Sequence, residues 1–385
     1  MMLFKLILKN IFRARLRSLL TIIGLVIAVI AFGLLRTVVD AWYAGSDMAS
    51  ANRLVTRNSI SLTFTLPTYY TERIRAVDGV TQISASNWFA GIYLEPKNFF
   101  PQFAVTVPVF FDLYPEFLLP PEQMQAMLRD RTGCIIGRAL ADSYGWKIGD
   151  KIPLQGTIYP GTWEFTVRGI FDARDDTTVT RQMYFHWDYL NERVKQSFPR
   201  AADRAGVFVV GIKDGQRAAE LSAAIDNEFK NSIAETLTET EKAFQLGFVA
   251  QSEAIVGAIR IVSFVVIIII LAVVANTMAM TVRERISEYA TLKALGFGPG
   301  FVVALIFGES LCLTLLGGLL GIALSFPVIA TFKSLIGTIF PVFRLSQETL
   351  CWQLGAVIFV GVLAAILPAI RSARIRIVDG LRHVA

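Results

Sequence analysis

The sequence predicts a membrane protein: four transmembrane helices, with a large α+β extracytoplasmic domain inserted between the first and second. Two observations carry this. Apolar runs at about Leu19–Val39, Val256–Val282, Phe301–Ile329 and Cys351–Ile370 each reach the length of about 20 mostly apolar residues that a helix needs to cross a bilayer. Between the first and second runs, residues 42–252 have the mixed polarity of a soluble domain. The bulk composition agrees. Only 18% of the 385 residues are charged and 54% are hydrophobic, whereas a wholly soluble domain carries about 25% charged residues.

The elements follow in order. Residues 1–18 place Leu3, Phe4, Leu6, Ile7, Leu8, Ile11, Phe12 and Leu16 among basic residues. An interfacial helix on the inner membrane face and a solvated basic lead-in both fit that pattern. The first span, 19–41, exceeds the roughly 7–15 residues of a signal-peptide core, and no small-residue cleavage site follows closely, so an uncleaved anchor is expected. Inside the insertion, alternation at Ser59–Leu66, Phe103–Val109 and Trp163–Ile170 reads as strands, and Pro67–Ala76 and Gln216–Lys230 read as helices, hence an α+β domain. Its two ends, including Ser232–Gln251, read as helical stalks continuing the spans. Pro108, Pro115, Pro120 and Pro121 fit a division into two subdomains. The remaining spans are expected at 253–282, 301–330 and 351–371, with a short outer loop at 331–350 and a tail at 372–385.

Lys5, Lys9, Arg13, Arg15 and Arg17 precede the first span. Arg283, Arg285 and Lys293 lie between the second and third, and Arg371, Arg374, Arg376 and Arg382 follow the fourth. Positive charge marks the cytoplasmic side, so both termini are expected in the cytoplasm. Lys333 and Arg344 give a weaker opposite bias; Arg36 and Arg260, near outer span ends, can snorkel. The net charge of +6 reads as topology-setting loop charge meeting membrane lipids. No basic stretch interleaved with aromatics points to nucleic acid.

Nothing in the sequence assembles a catalytic centre. The two histidines, His186 and His383, fall on opposite membrane sides in this topology and cannot share a metal or a triad. No phosphate-binding P-loop, GxSxG elbow or HExxH motif occurs. His186 is expected as a half-buried strand residue, and Asp175–Asp176 as a solvated turn. Cys134, Cys312 and Cys351 are expected as small apolar residues without an intramolecular disulfide in the outer domain. No catalytic residue, metal site or bound cofactor is expected of this chain.

Intramembrane polar residues are few. Asn276 lies in the inner half of the second span and Glu309 about a third of the way into the third. A carboxylate at a span centre costs about 2.5–3.5 kcal/mol, so Glu309 needs a partner, polar surroundings or protonation. A structural hydrogen bond and a functional role both remain open. Gly317, Gly318 and Gly321 form a small-residue face, either within the subunit or at a dimer seam.

The densest signal is the loop at 283–300. Val282, Ile286, Tyr289 and Leu292 follow helical spacing, with Glu284, Glu288 and Lys293 on a polar face. Gly296 suits the position just past a helix end and Pro299 prevents continuation. A short amphipathic helix lying along the inner membrane face is predicted, and a plain connection between spans fits the spacing as well.

This segment resembles the coupling helix of the MacB/FtsX-like permeases of ABC transporters. An E-R-x-x-E-x-x-x-x-K-A-x-G stretch falls on Glu284, Arg285, Glu288, Lys293, Ala294 and Gly296. Gly308–Ser310 with Leu316–Gly321, and Pro368–Ala373 with Leu381–Arg382, are similar to the family's third span and tail. Ile135–Leu154 with Phe165–Ile170 resembles its periplasmic domain. The macrolide exporter's fused nucleotide-binding domain is not expected in this chain, so the ATPase is expected as a separate subunit. The resemblance implies a permease in the bacterial inner membrane, paired with an identical or paralogous second permease and two ATPase subunits that bind ATP and Mg. It implies mechanotransmission to the periplasmic domain for export or extraction, with a membrane-fusion protein and an outer-membrane channel. The alternative is an FtsX-like regulator of a periplasmic cell-wall hydrolase. Glu284, Arg285, Glu288 and Lys293 are expected to contact the ATPase, Leu292 and Leu295 to anchor the helix, and Gly296 to end it.

Overall fold

The structure is a computed structural model, and it describes residues 6–7, 10, 13–47, 49–175, 178–336 and 342–375. Most of the 1–5 and 8–12 stretch, Asp176, residues 337–341 of the outer loop and the tail from 376, with Leu381, Arg382 and His383, therefore lie outside the described residues. The described residues form two compact units. One takes in residues up to 41, then 252–336 and 343–375; the other takes in 42–251 and 342.

The second unit is built on one continuous sheet. Its strands, in chain order, are β1 (Arg53–Asn58), β2 (Leu66–Pro67), β3 (Val80–Trp88), β4 (Gln102–Val105), β5 (Phe117–Leu118), β6 (Gly133–Gly137), β7 (Lys151–Gly156), β8 (Gly161–Ala173), β9 (Met183–His186), β10 (Arg204–Ala205), β11 (Val207–Ile212) and β12 (Thr236–Thr240). The main sheet runs β12-β1-β11-β3-β4-β9-β6-β8-β5, with β7 pairing β8; β2 and β10 pair separately. Most pairs are antiparallel, but β4–β9 and β6–β8 are parallel.

Both faces of the sheet are covered, which follows from the period of two along each strand. On β11, Phe208, Val210 and Ile212 pack with Ile74, Leu221 and Ile225 of the helices at Tyr70–Arg75 and Ala218–Glu228. Val209, between them, faces the opposite side with Val105, Tyr184 and Phe171. Likewise Cys134 and Ile136 of β6 enter one cluster while Ile135 enters another.

Several strand expectations are corrected. Residues 59–65 form bends and turns, and Ile60, Leu62 and Phe64 are exposed. The strand is instead Arg53–Asn58, buried between β11 and β12. A strand covered on both faces need not alternate, so its sequence did not advertise it. The 103–109 strand stops at Val105, and residues 109–113 turn into a helix. The prolines do not divide the sheet: Pro121 opens the helix Pro121–Arg129 at N1, where a missing N–H is tolerated. The C-terminal stalk starts with β12, and only Glu241–Gln251 is helical.

The first unit holds the long apolar helices. Four qualify as membrane spans by length and hydropathy: Arg15–Ala44 of α1 (Arg15–Asp47), α2 (Glu253–Glu284), Pro299–Lys333 of α4 (Pro299–Ile336), and α5 (Gln347–Ala373). Between α2 and α4 lies α3 (Ile286–Ala294). The small-residue face of α4 packs within the subunit. A Cβ added at Gly317 would come 2.8 Å from Leu25 Cβ, one at Gly321 equally close to Val29 Cβ, and one at Gly318 would overlap Val357. Glycine lets α4 approach both α1 and α5, the usual route to tight packing where lipid offers no hydrophobic drive. Polar stitches reinforce it. Buried Gln353 Nε2 donates to the Val29 carbonyl at 2.9 Å and to Ser325 Oγ at 3.1 Å, and Ser310 Oγ donates to the Gly361 carbonyl at 2.7 Å. Asp40 Oδ2 accepts from Ser346 Oγ and Thr349 Oγ1, both at 2.7 Å, at the start of α5. Arg36 pairs with Glu348 at 3.2 Å beside the Trp352 ring.

Candidate functional site: the helix between the second and third spans

α2 breaks at Arg285, and α3 leaves from it. Of the stripe that the spacing predicts, Val282 and Tyr289 are buried and Ile286 and Leu292 half-buried, Leu292 against the same cluster; Ala290, outside that stripe, is buried as well. α3 ends at a Schellman turn. Gly296 sits at φ +92°, its N–H bonds the Lys293 carbonyl at 3.1 Å, and the Phe297 N–H bonds the Leu292 carbonyl at 3.1 Å. That is the 6→1 and 5→2 pattern a left-handed glycine permits. Pro299 then opens α4.

Four charged side chains of this segment, Glu284, Arg285, Glu288 and Lys293, find partners inside the chain, and Arg283 is exposed. Arg285 Nη1 donates to Glu309 Oε1 at 2.7 Å, and Arg285 Nε to Glu288 Oε2 at 2.8 Å. Asn10 Nδ2 donates to the same Glu309 oxygen at 2.6 Å, and Arg13 donates to Glu288 Oε1. Arg17 takes Glu284 with two bonds, 2.7 and 2.9 Å. Lys293 Nζ reaches the last turn of α5 and donates to the carbonyls of Ser372, Ala373 and Ile375 at 2.9–3.0 Å. Helix C-termini leave such carbonyls unpaired and favour a cation there.

The electrostatics follow the geometry. Burial works to depress the Arg285 guanidinium, yet the Glu309 and Glu288 carboxylates hold it above its ordinary value. Burial likewise works to raise the Glu288 carboxyl, but bonds from Arg285 and Arg13 hold it below. Burial, then Glu309, pushes the Tyr289 hydroxyl up.

The structure thus brings Arg285, Glu288 and Glu309 into one network and gives Lys293 a capping contact. Two residues stand apart: Leu295 is 72% exposed rather than packed, and Asn276 is exposed on α2. The sequence reading missed Asn10, Arg13 and Arg17 as partners. The stretch that holds them reads in sequence as an interfacial helix or a basic lead-in and as topology-setting charge, neither of which points to Glu284, Glu288 or Glu309. The exposed residues of the segment are Arg283, Glu284, Thr291, Ala294, Leu295, Gly296 and Gly298–Gly300. His186 bonds the Met127 carbonyl at 2.8 Å at the end of β9, and among the described residues no acidic, histidine or cysteine group is placed to hold a metal ion.

Comparison with known proteins decides the class. The model of the MacB-like periplasmic core domain matches residues 18–228, and that of the FtsX-like permease C-terminal region matches 260–377. The chain belongs to the MacB/FtsX-like permeases of ABC transporters. A relative of this permease family, the uncharacterized ABC transporter permease MJ1507 of Methanocaldococcus jannaschii, is 25% identical over 97% of this chain and 96% of its own length. The macrolide export ATP-binding/permease protein MacB of Chromobacterium violaceum is 27% identical over 60% of this chain and 36% of its own. The uncharacterized permease YknZ of Bacillus subtilis is 31% identical over 29% of this chain and 27% of its own. Among solved structures, the periplasmic region of MacB from Actinobacillus actinomycetemcomitans aligns with a TM-score of 0.37 at 8% identity, covering 52% of this chain and 94% of that one. The extracellular domain of YknZ aligns at 0.35 and 14%, covering 49% and 100%. The protein is therefore a multi-pass ABC transporter permease with a MacB-type α+β domain between its first two spans, and its family implies an ATPase partner.

Proposed function

We propose that this chain is a mechanotransmitting permease subunit in the cytoplasmic membrane, with both termini cytoplasmic. ATP and Mg are bound by a separate pair of ATPase subunits, and closure of that pair pushes on α3. The observation that carries the reading is the wiring of α3. Arg285 ties it to α4 through Glu309, Lys293 ties it to α5, and Glu288 ties it to Arg13 ahead of α1. A short helix keyed to three neighbours moves them when it is pushed. Glu284, Arg285, Glu288 and Lys293 are already paired within the chain, so the ATPase would dock on the exposed tip, Ala294–Gly300, with Leu295 as its apolar anchor. Motion then reaches the α+β domain through α1 and α2, for export or extraction with a membrane-fusion protein and an outer-membrane channel. The chain itself does no chemistry in this reading.

The test is affinity purification from native membranes in mild detergent, with identification of co-purifying chains and an ATPase assay. Wild type is expected to bring down an ATPase with vanadate-sensitive hydrolysis, and Leu295→Asp is expected to lose it while still inserting. Retention of coupled hydrolysis by Leu295→Asp rejects the tip as the docking point. Absence of any ATPase after crosslinking rejects the coupling role of α3.

A further inference from the structure

We propose that Arg36 and Glu348 hold the headgroup of a phospholipid that pairs a phosphate with a primary ammonium, as phosphatidylethanolamine does, and that its acyl chain lies along α1 and α5 below them. Glu348 stands in the first turn of α5, so the pair sits at the polar boundary of the membrane, the level where Trp352 is also at home. Arg36 Nη2 donates to Glu348 Oε1 at 3.2 Å, and Trp352 Nε1 donates to the same oxygen at 3.2 Å. The Arg36 guanidinium carbon lies 5.5 Å from the centre of the Trp352 ring. The cluster is open on one side: the Glu348 side chain is 72% exposed, and Trp352 is exposed as well. It is also only partly engaged. Among the described residues Arg36 bonds through Nη2 alone, its Nε is buried without a partner, and Glu348 Oε2 takes no bond.

Charge complementarity selects the occupant. A cationic edge and an anionic edge stand side by side, and such a headgroup carries the opposite two charges on a short linker. A guanidinium gives directed N–H bonds to phosphate oxygens, and a carboxylate accepts from an ammonium that has three donors. An anionic headgroup without a cation would meet Glu348 and, one turn further along α1, Asp40. A choline headgroup has no N–H to give Glu348 and could use only the Trp352 face. Below the pair the same helix faces continue as a shallow apolar recess. Phe32 and Ala28 stand one and two turns before Arg36 on α1, Ala356 stands one turn after Trp352 on α5, and Val266 and Ile267 of α2 line it too. At about 20 Å³ the recess does not enclose a chain; a chain lies along it and fills it. Packing of this kind is what binds one apolar surface to another inside lipid, where there is no hydrophobic drive.

The inference rests on the four membrane spans and is read out without the ATPase. Full-length protein is reconstituted in vesicles of equal parts phosphatidylethanolamine, phosphatidylglycerol and phosphatidylcholine with identical acyl chains. It is then extracted in mild detergent and weighed with its bound lipids by native mass spectrometry. Wild type should retain phosphatidylethanolamine over each of the other two by roughly fivefold, the upper end of what an exposed ion pair contributes. Glu348→Gln, which alters an exposed side chain, should bring phosphatidylethanolamine down to the level of phosphatidylcholine. Arg36→Gln should lose the retention of both. Ala356→Leu, which fills the recess and leaves the charges in place, should lower retention as well. Equal retention of the three lipids by wild type, a preference for phosphatidylglycerol, or an unchanged preference in Glu348→Gln overturns the site. If Arg36→Gln fails to insert, Glu348→Gln and Ala356→Leu decide. Co-purification of an ATPase with wild type, assayed separately, judges the permease reading on its own.

Discussion

Arg285 and Glu309 are joined by a 2.7 Å ion pair, their side chains 12% and 5% exposed, so the helix that connects α2 to α4 is tied back to α4 near its own base. Breaking a buried pair from one side strands a charge and costs about 3–5 kcal/mol, whereas replacing both partners by apolar groups is often near neutral. Arg285→Leu and Glu309→Leu should each lower thermal stability in detergent strongly. The double variant should recover most of it and still lose coupling to the ATPase. The midpoints of the three variants check the first statement, and ATPase stimulation checks the second. A double variant as unstable as the sum of the singles would remove the pair from the account.

Glu288 makes the network around Arg285 sensitive to acid. Burial opposes the shift, but the bonds from Arg285 and Arg13 prevail and hold its folded-state carboxyl below the ordinary value. A group depressed on folding stabilises fully above its unfolded pKa and loses that contribution as pH falls through the folded one. In the unfolded chain a glutamate carboxyl has its ordinary value, about 4.3. Wild type should therefore exceed Glu288→Gln in melting temperature at neutral pH, with the gap closing below that value. Paired melts from neutral pH down to about pH 3 test this, and a gap that persists at the acid end contradicts it.

How far the sequence could be read depends on whether a signal is local. The spans were legible because twenty consecutive apolar residues mean the same thing wherever they occur. The Tyr289–Gly296 end of α3 was legible because a helical stripe, a left-handed glycine and a proline all act within one turn. Glu309 was legible as a residue that needed a partner, but its partners were not: Arg285 lies across a helix break and Asn10 is 299 residues away in sequence. The same holds for β1, whose two buried faces erase the alternation that would reveal it. It holds again for Lys293, whose acceptors are backbone carbonyls and so leave no mark in sequence.

The glycine face of α4 gives a steric prediction. At Gly318 a Cβ would overlap Val357 of α5, while at Gly355 it would meet nothing within 4 Å. Forcing carbon into a packed interface costs about 1–3 kcal/mol. Gly318→Val should therefore lower the melting temperature clearly, and Gly318→Val combined with Val357→Ala should regain part of it. Gly355→Ala should be neutral or slightly stabilising, since alanine is the better helix former. Thermal melts of the four proteins in one detergent decide it. Equal effects at 318 and 355 would mean that α4 and α5 are not in close contact.

Within the α+β unit the chain closes on a buried ionic cluster. Arg53, first residue of β1, donates Nε to Glu241 Oε2 at 2.7 Å, Nη2 to Glu116 Oε1 at 2.6 Å and Nη1 to the Leu113 carbonyl at 2.8 Å. The Tyr114 ring lies 4.1 Å from its guanidinium carbon, and the Tyr114 hydroxyl donates to the other Glu241 oxygen at 2.8 Å. The Ser50 N–H also bonds Glu241 at 2.9 Å. Arg53 and Glu241 are each 4% exposed, and they mark where the chain enters and leaves the sheet. Every polar atom of the Glu241 carboxylate is satisfied, so the cluster is stable while whole and fragile when cut. Arg53→Met would leave two carboxylates facing each other in a dry site and should destabilise this unit by about 3–5 kcal/mol. Arg53→Lys, which keeps the charge but loses the planar fork, should fall between the two. Hydrogen exchange on the full-length protein is the direct check. Amides of β1, β11 and β12 should lose protection in the order wild type, Arg53→Lys, Arg53→Met, while those of α4 and α5 stay unchanged. If all amides loosen together, the cluster is holding the whole chain rather than the entry and exit of one sheet.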